Sequence, residues 1–475
     1  EKGEYHPTPT IIEAANSLFN NQNVNEISRS DAEAENLSVT TETVLDLIQR
    51  AKAQKEKHIC FITGVPGSGK TLAGLKIVHD ARVKDTDDAA VFLSGNGPLV
   101  KVLREALRIN ALENNRGTRA DVKVSVESFI QNIHHFRDNE RDSKKPPVEK
   151  IVVFDEAQRA WNREKTSSFM SKKRGVANFN RSEPDFLMSI LDRHNDWAFV
   201  ICLVGGGQEI HDGEAGIQEW FDSIEKNYAH WHISASERII EGDYLKINDL
   251  EDIKRKTRFS CNDALHLKTS LRSFRSENVS KLINSIISNE IESVRSLYES
   301  VKERYKITIT RDLNVAKKWL RLNARGNERY GIIASSGGLR LRKYGLHVKN
   351  DIDPVDWFLK NRDDVRSSFA LEEVATEFDI QGLELDWACI AWDADLRYTS
   401  DSWGCMRFRG SSWQNVKSEI QRRYLLNTYR VLLTRARQGM VIFIPEGDLN
   451  DLTALPSYYN GTFEMLSEVG FEVLR

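Results

Sequence analysis

His58–Ala81 reads HICFITGVPGSGKTLAGLKIVHDA. The apolar run HICFIT predicts a buried strand, and LAGLKIVHDA has the apolar spacing of an amphipathic helix. Between them, GVPGSGKT has the spacing GxxxxGK[ST], and this strand-loop-helix context is the one in which that pattern binds phosphate. Glycines let backbone N–H groups approach a phosphate at a helix N-terminus, while Lys70 adds a cation and Thr71 offers a hydroxyl to Mg²⁺. The predicted nucleotide-binding residues are Gly64, Pro66, Gly67, Ser68, Gly69, Lys70 and Thr71.

Short apolar runs recur along the whole chain and alternate with amphipathic segments. They are HICFIT at 58, AVFLS at 90, KIVVF at 150, AFVICLV at 198, KITIT at 306, YGIIAS at 330, WACIAWD at 387 and MVIFIP at 440. Runs without internal polar alternation are typical of parallel strands covered on both faces, so we expect an α/β fold that is built twice. The chain has 475 residues, which is too many for one ordinary core.

We therefore predict three segments. Residues 1–45 form an N-terminal arm or linker with a short helix at IIEAANSLF, residues 46–265 form a first lobe, and residues 266–475 form a second. Two polar stretches in the first lobe, HHFRDNERDSKKPPVEK from His134 and REKTSSFMSKKRGVANFNRSEPD from Arg163, are predicted to be exposed loops.

Two further patterns follow apolar runs in the first lobe. Asp155 and Glu156 come directly after KIVVF, which places one carboxylate to hold a metal and the other to act as general base on water. Gln208 follows three glycines in LVGGGQ and is suited to bond a γ-phosphate or the attacking water. Each pattern alone is equally compatible with a surface turn, and the phosphate-binding motif upstream is what favours the catalytic interpretation.

Composition excludes some classes of protein. The net charge of −3 gives no basic surface over the whole chain, so any nucleic-acid contact must be a local groove. The apolar runs are far shorter than the roughly 20 residues of a membrane span, so a cytoplasmic protein without membrane attachment is expected. The five cysteines show no CxxC spacing and are expected to be buried thiols, without metal or disulfides.

The order of these motifs resembles the superfamily 1 DNA/RNA helicases, in which GVPGSGKT, VVFDEAQ and VGGGQEI would be motifs I, II and III. A closer similarity, to the bacterial Schlafen-like helicase-domain family, is carried by the segments FLSGNGPLVKVLREAL, FDEAQRAWN and GGGQEIHDGEAG. This resemblance covers residue 50 to the C-terminus. It implies two tandem RecA-like P-loop NTPase lobes with parallel sheets and an ATP cleft between them.

The same resemblance gives meaning to three patterns in the second half. SFRSENVSKLI is similar to motif IV, with Arg275 as its arginine, and TEFDIQGLELDWACI is similar to motif V, in which Gly382 and Glu384 would bind the nucleotide. YRVLLTRARQGM is similar to motif VI, with Arg435 as a second arginine for the γ-phosphate; Arg437 is expected to be structural or adjacent to phosphate. Alone, these patterns are equally typical of a helix cap, a tight turn and an arginine that complements a helix dipole.

The resemblance also implies contacts with single-stranded DNA or RNA at Ser94, Asn96 and Thr376, although SGNGP is in itself a good turn sequence. ATP is expected in preference to GTP by resemblance alone, together with Mg²⁺. No interval between motifs is long enough to build the accessory domains with which many superfamily 1 enzymes separate a duplex.

We expect a nucleic-acid-dependent ATPase of superfamily 1 helicase type that translocates on or remodels DNA or RNA. Its expected catalytic residues are Lys70, Glu156, Gln208, Arg275 and Arg435, with Thr71 and Asp155 as metal ligands. The alternative is an ATP-gated regulatory module that controls a partner or fused effector upstream of residue 1, with anti-phage defence as one setting. The chain does not begin with Met, so it is expected to be part of a longer protein.

Overall fold

The computed structural model describes residues 10–20, 31–64, 68–80, 89–176, 178–205, 216–243, 247–268 and 274–475, with the backbone alone for 31–35, 241–243, 247–250 and 274–277. The chain divides into two compact units, Glu1–Arg272 and Ser273–Arg475. The sequence-based boundary near residue 265 falls just before a short strand, His266–Leu267, that pairs with a strand of the first unit. The first unit therefore extends a few residues further than its apolar pattern indicates.

The first unit alternates strands and helices. Its strands are β1 Lys57–Gly64, β2 Ala89–Ser94, β3 Ile130–Asn132, β4 Glu149–Asp155, β5 Ala198–Leu203, β6 His232–Ala235, β7 Arg258–Cys261 and β8 His266–Leu267. Its helices are α1 Ile11–Phe19, α2 Asp31–Gln54, α3 Lys70–His79, α4 Gly97–Glu113, α5 Arg119–Phe129, α6 Ile133–Glu140, α7 Arg163–Arg174, α8 Glu183–Leu191, α9 Gln218–Asn227 and α10 Ile247–Lys256.

The strands of the first unit form one parallel sheet in the order β3-β2-β4-β5-β1-β6-β7, with β8 paired to the end of β1. All six residues of β5 are buried, as a central strand covered by helices on both faces requires. Since the strands are parallel, their carboxyl ends meet at one edge, where β2, β4, β5 and β1 end beside one another.

The described parts of the N-terminal arm, residues 10–20 and 31–45, are helical although their sequence is polar. The short helix expected at IIEAANSLF is confirmed as α1, which packs against α3 and α4. Helix α2 packs against α3 and β5 and buries Leu37, Val44 and Leu45. The Thr40 hydroxyl donates a hydrogen bond of 2.6 Å to the carbonyl of Ala264, near the other end of the unit.

Each of the two stretches predicted to be an exposed loop contains a helix, so that prediction was wrong for those parts, whereas residues 141–148 form a loop as predicted. The first contains most of α6 and buries Arg137, which lies 2.9 Å from the buried Glu183. The second contains α7, capped at its C-terminus by Gly175 with φ of 68°. Charged residues outnumber apolar ones in both stretches, but a few apolar positions at helical spacing are enough to dock each helix.

The second unit has the same alternating pattern. Its helices are α11 Phe274–Ile287, α12 Ile291–Val301, α13 Leu313–Asn323, α14 Pro354–Leu359, α15 Glu419–Leu433 and α16 Asn460–Glu468. Its strands are β9 Lys306–Thr310, β10 Tyr330–Ala334, β11 Val374–Thr376, β12 Leu385–Ala391, β13 Leu396–Thr399, β14 Ser402–Arg409, β15 Ser412–Asn415, β16 Ala436–Phe443 and β17 Glu472–Val473.

Six of these strands form a parallel sheet in the order β11-β10-β12-β16-β9-β17, and β13-β14-β15 form a separate antiparallel sheet. Strand β12 is buried at all seven positions and lies between β10 and β16. The expectation of an α/β fold built twice, with parallel sheets, is therefore confirmed. The antiparallel sheet, inserted between β12 and α15, was not predicted.

Four cysteines are buried as expected, but Cys261 is exposed because it ends β7, the edge strand of the first sheet. Across the ranges that the structure describes, no helix combines the length and apolar character that a membrane span needs.

Candidate functional site

The start of α3 is prepared to receive an anion. Gly69 precedes the helix with φ of 83°, a left-handed conformation that glycine adopts without strain, and no side chain in the described ranges caps the helix there. The Ser68 hydroxyl is buried and has no hydrogen-bond partner among the described residues. Lys70 Nζ donates to the carbonyl of Gly64 at 2.9 Å, so its ammonium is folded back toward the end of β1. Pro66 and Gly67 lie outside the described residues.

Asp155 is held directly beside this loop. Thr71 Oγ1 donates to Asp155 Oδ1 at 3.2 Å, and Ser94 Oγ lies 3.5 Å from Asp155 Oδ2. Strand pairing explains both contacts, because Ser94 is the register partner of Asp155 and β5 connects β4 to β1. Burial, together with the nearby Glu156 carboxylate, raises the pKa of the Asp155 carboxyl to about 7. A cation at this position would relieve both effects.

Glu156 has φ of 53° and ψ of 48°, a left-handed conformation that costs a non-glycine residue about 1–3 kcal/mol. The turn directs its carboxylate toward Gln158, whose amide nitrogen donates to Glu156 Oε2. Gln158 Oε1 in turn accepts a hydrogen bond of 3.0 Å from the backbone N–H of Gly205, at the end of β5. A Cβ at Gly205 would lie 3.0 Å from Glu156 Oε2, so the glycine gives this carboxylate its space.

Gln158 was missed as a functional residue, although it stands in the DEAQ pattern from which Asp155 and Glu156 were taken. The signal was the pattern itself, since the amide can donate to one carboxylate oxygen while accepting from a backbone N–H. Gln208, the candidate for the γ-phosphate or water, lies outside the described residues.

A second contact that the sequence did not reveal supports the beginning of the loop. Thr63 Oγ1 and His266 Nδ1 are 2.8 Å apart and buried, where β8 pairs with the end of β1. A Cβ at Gly64 would lie 2.8 Å from the carbonyl oxygen of Leu267 and 2.6 Å from Ser68 Oγ. The glycine is therefore needed for close packing as well as for approach to phosphate.

In the second unit, the two arginines of TRARQ have different environments. Arg435 follows the end of α15, is 4% exposed, and donates from Nε to the carbonyl of Val431 at 3.2 Å. Arg437 lies on β16 and forms an ion pair of 2.5 Å with Asp386 on β12. Asp386 also accepts a hydrogen bond of 2.7 Å from the backbone N–H of Arg329, directly before β10. This carboxylate therefore connects β12 and β16 to the residue that precedes β10.

The other candidate nucleotide residues of the second unit lie in or near β12 and α11. Gly382 has φ of 72°, which favours glycine, and Glu384 is half-buried directly before β12. Arg275 lies in the first turn of α11, where the structure describes the backbone alone.

The residues predicted to contact nucleic acid are engaged in local turns. Ser94 is buried beside Asp155, and its Oγ accepts a hydrogen bond of 3.2 Å from the backbone N–H of Asn96. The Asn96 side chain caps α4 by accepting from Leu99 N. Thr376, at the end of β11, donates from Oγ1 to Asp379 at 2.6 Å. Nucleic-acid contact by these three residues stays a prediction.

The residues around α3 fit a nucleotide phosphate and a small divalent cation. An uncapped helix N-terminus, an orphaned buried hydroxyl and a folded-back lysine suit the anion. Thr71 and Asp155 supply two hard oxygen ligands, and Mg²⁺ is ordinarily held by one or two such groups together with phosphate oxygens. Within the described ranges, no three His, Cys, Asp or Glu side chains are grouped to hold a metal by themselves.

The fold and this site define a two-lobed RecA-like P-loop protein. The family model "Schlafen group 3, DNA/RNA helicase domain" matches residues 57–446, which is most of the chain. The chain therefore belongs to the Schlafen group 3 DNA/RNA helicase-domain family, and the resemblance inferred from the motifs is confirmed. No curated protein matches the sequence.

Solved helicase structures are similar at low identity. The Hef helicase domain of Pyrococcus furiosus is 14% identical over 86% of this chain and 97% of its own, with a TM-score of 0.28. A DEAD box protein of Methanococcus jannaschii is 11% identical over 95% of this chain and 99% of its own, with a TM-score of 0.28. The DUF1998 helicase MrfA, solved bound to DNA, is 10% identical over 99% of this chain and 56% of its own, with a TM-score of 0.33.

Proposed function

We propose that this chain is a nucleic-acid-dependent ATPase that hydrolyses ATP with Mg²⁺ to translocate on or remodel a DNA or RNA strand. The observation that carries the proposal is the hydrogen bond between Thr71 and Asp155, because it joins the loop after β1 to the carboxylate after β4. These are the two groups that must share one metal ion in a P-loop NTPase. Membership of a DNA/RNA helicase-domain family supports the nucleic acid as partner.

Each candidate residue is assigned a chemical role in this proposal. Glu156 accepts the proton of the attacking water, and Gln158 holds its carboxylate in position. Lys70 exchanges the Gly64 carbonyl for the terminal phosphates of ATP, since an ammonium prefers an anionic partner. Bound Mg²⁺ would neutralise charge on the β- and γ-phosphate oxygens. We assign Arg435, with Arg275, to the charge that develops on the γ-phosphoryl group, and Gln208 to the water or γ-phosphate.

The test is steady-state ATP hydrolysis in the presence and absence of single-stranded DNA, single-stranded RNA and duplex DNA. The Glu156→Gln variant is the negative control, because it keeps the shape of the side chain and removes the general base. We expect one polymer to stimulate turnover strongly and Glu156→Gln to abolish it while ATP still binds. Thr71→Val should instead weaken Mg²⁺-dependent ATP binding.

Two results would count against the proposal. Hydrolysis that is indifferent to every nucleic acid would favour the ATP-gated regulatory module, whose partner must then be sought. Hydrolysis that survives in Glu156→Gln would show that the assigned base is wrong.

A further inference from the structure

The antiparallel sheet β13-β14-β15 is firmly attached to the second unit at its base. Trp403 is buried, stacks on Trp392 at 5.5 Å, and donates from Nε1 to the carbonyl of Ile286 at 2.9 Å. Nearer the tip, Trp413 donates to the carbonyl of Thr453 at 2.8 Å and packs on Phe408, its cross-strand partner. The strands are therefore fixed by aromatic side chains and do not form a loose loop.

The tip of this sheet presents a basic face to solvent. The odd-numbered side chains of β14 share one face of the sheet. They are buried near the base of the sheet, whereas Arg407 and Arg409, near its tip, are exposed. Their cross-strand partners on β15 are Gln414 and Ser412, which are also exposed. We call these four residues the arginine face. It contains no carboxylate, and within the part of the chain that the structure describes neither arginine forms an ion pair.

The topology places the arginine face at a particular edge of the second sheet. The insertion leaves from the carboxyl end of β12, the edge at which β11 ends with Thr376. Gly382, Glu384 and Arg435 instead come before β12 and β16, at the amino edge of the same sheet. Within this unit, the candidate nucleotide residues and the arginine face are thus separated by the length of the strands.

We propose that the arginine face binds the sugar-phosphate backbone of a nucleic-acid strand. This inference rests on the proposed function and adds to it a contact that none of the helicase motifs contains. Residues two apart on a strand are separated by about 6.8 Å, which exceeds the rise of about 3.4 Å per phosphate along one strand of a DNA duplex, so the two guanidinium groups can reach different phosphates of one strand. Hydroxyl and amide side chains beside them suit backbone contact without base readout.

The test compares the full chain with its Arg407→Gln/Arg409→Gln variant in binding fluorescein-labelled single-stranded DNA and RNA at several salt concentrations. The matched control is Lys318→Gln/Arg321→Gln, which removes two charges from the exposed face of α13, a helix that packs against β12 and β16. We expect the first variant to bind about 10-fold or more weakly. Its slope of log K against log salt should fall by about 1.4, or 0.7 per lost phosphate contact on a single strand.

ATP hydrolysis without nucleic acid should be the same in the first variant, the control and the wild type, since both pairs are exposed. The concentration of nucleic acid that gives half-maximal stimulation should rise in the first variant alone. Wild-type affinity and salt slope in that variant would overturn the proposal and leave the proposed function standing. Tighter binding of a labelled polyglutamate than of either nucleic acid would assign the face to an acidic protein, and failure of the wild type to bind any nucleic acid would overturn both proposals.

Discussion

Arg437 and Asp386 form an ion pair of 2.5 Å between β16 and β12, with their side chains 15% and 7% exposed. Arg435, two residues earlier, instead donates to the backbone carbonyl of Val431 in the last turn of α15, the helix that precedes it. The two arginines of TRARQ are therefore chemically distinct, and the structural role expected for Arg437 agrees with its carboxylate partner.

Substitution should separate the two roles. Arg435→Ala is expected to lower kcat by about 10²–10⁴-fold, because a transition-state charge loses its partner. Arg437→Ala should lower the free energy of unfolding by about 1–3 kcal/mol, because Asp386 keeps its burial without its cation. ATPase assays and urea unfolding of both variants measure this. Loss of turnover in a fully stable Arg437→Ala would contradict the assignment.

The bridge from Glu156 through Gln158 to Gly205 predicts a graded effect on catalysis. Gln158→Ala should lower kcat about 10-fold and leave the KM for ATP unchanged, because the base is present but no longer oriented. Gln158→Glu should lower kcat further, since a second carboxylate beside Glu156 disfavours the charged base. The pH profile of kcat is the discriminating measurement, as only the second variant should shift it to higher pH.

Close packing at Gly64 predicts sensitivity to a single methyl group. Gly64→Ala places a carbon within 2.8 Å of the Leu267 carbonyl oxygen, so the loop before α3 must move and the KM for ATP should rise roughly 10-fold. Gly97→Ala, at the start of α4, meets nothing within 4 Å and serves as the control. Equal KM values in the two variants would show that the contact with β8 does not position the loop.

Asp395 predicts how stability depends on pH. Its carboxyl is buried and accepts hydrogen bonds of 2.5 Å from both Tyr429 and Ser335; burial, with the neighbouring Asp393, raises its pKa to about 7. The folded state then holds a proton that the unfolded state releases near pH 4. The stability that this proton contributes is complete below about pH 4 and is lost as the pH rises through 7.

Asp395→Asn removes this titration, so the free energy of unfolding of the variant should rise relative to that of the wild type by about 3 kcal/mol between pH 5 and pH 8. Urea unfolding at four pH values in that interval measures the difference, with the exposed Asp351→Asn as control. A difference that is constant with pH would mean that the buried carboxyl does not titrate in this range.

The sequence predicted what depends on local pattern and missed what depends on distant partners. The strands β1, β2, β4, β5, β9, β10, β12 and β16 are continuous apolar runs and could be located directly. Helix α6 could not, because the burial of Arg137 depends on Glu183, which is 46 residues away. The contact between His266 and Thr63 could not be predicted for the same reason, since a two-residue strand has no sequence pattern of its own.

The roles of single residues divide in a similar way. Lys70, Thr71 and Asp155 could be predicted to lie near one another because strand ends fix their positions, whereas the contacts of Gln158 depend on the position of Gly205. The arginine face could not be predicted, because alternation along β14 changes from buried to exposed only where the supporting unit ends.

The two ends of the first unit are joined to each other. Thr40 on α2 bonds to Ala264, and β8, which follows at once, pairs with β1 beside the phosphate-binding loop. A mechanical load that pulls the C-terminal end of this unit away from α2 would therefore act on that junction. Tension along the chain would reach the phosphate-binding loop through β8 before it reached the other strands.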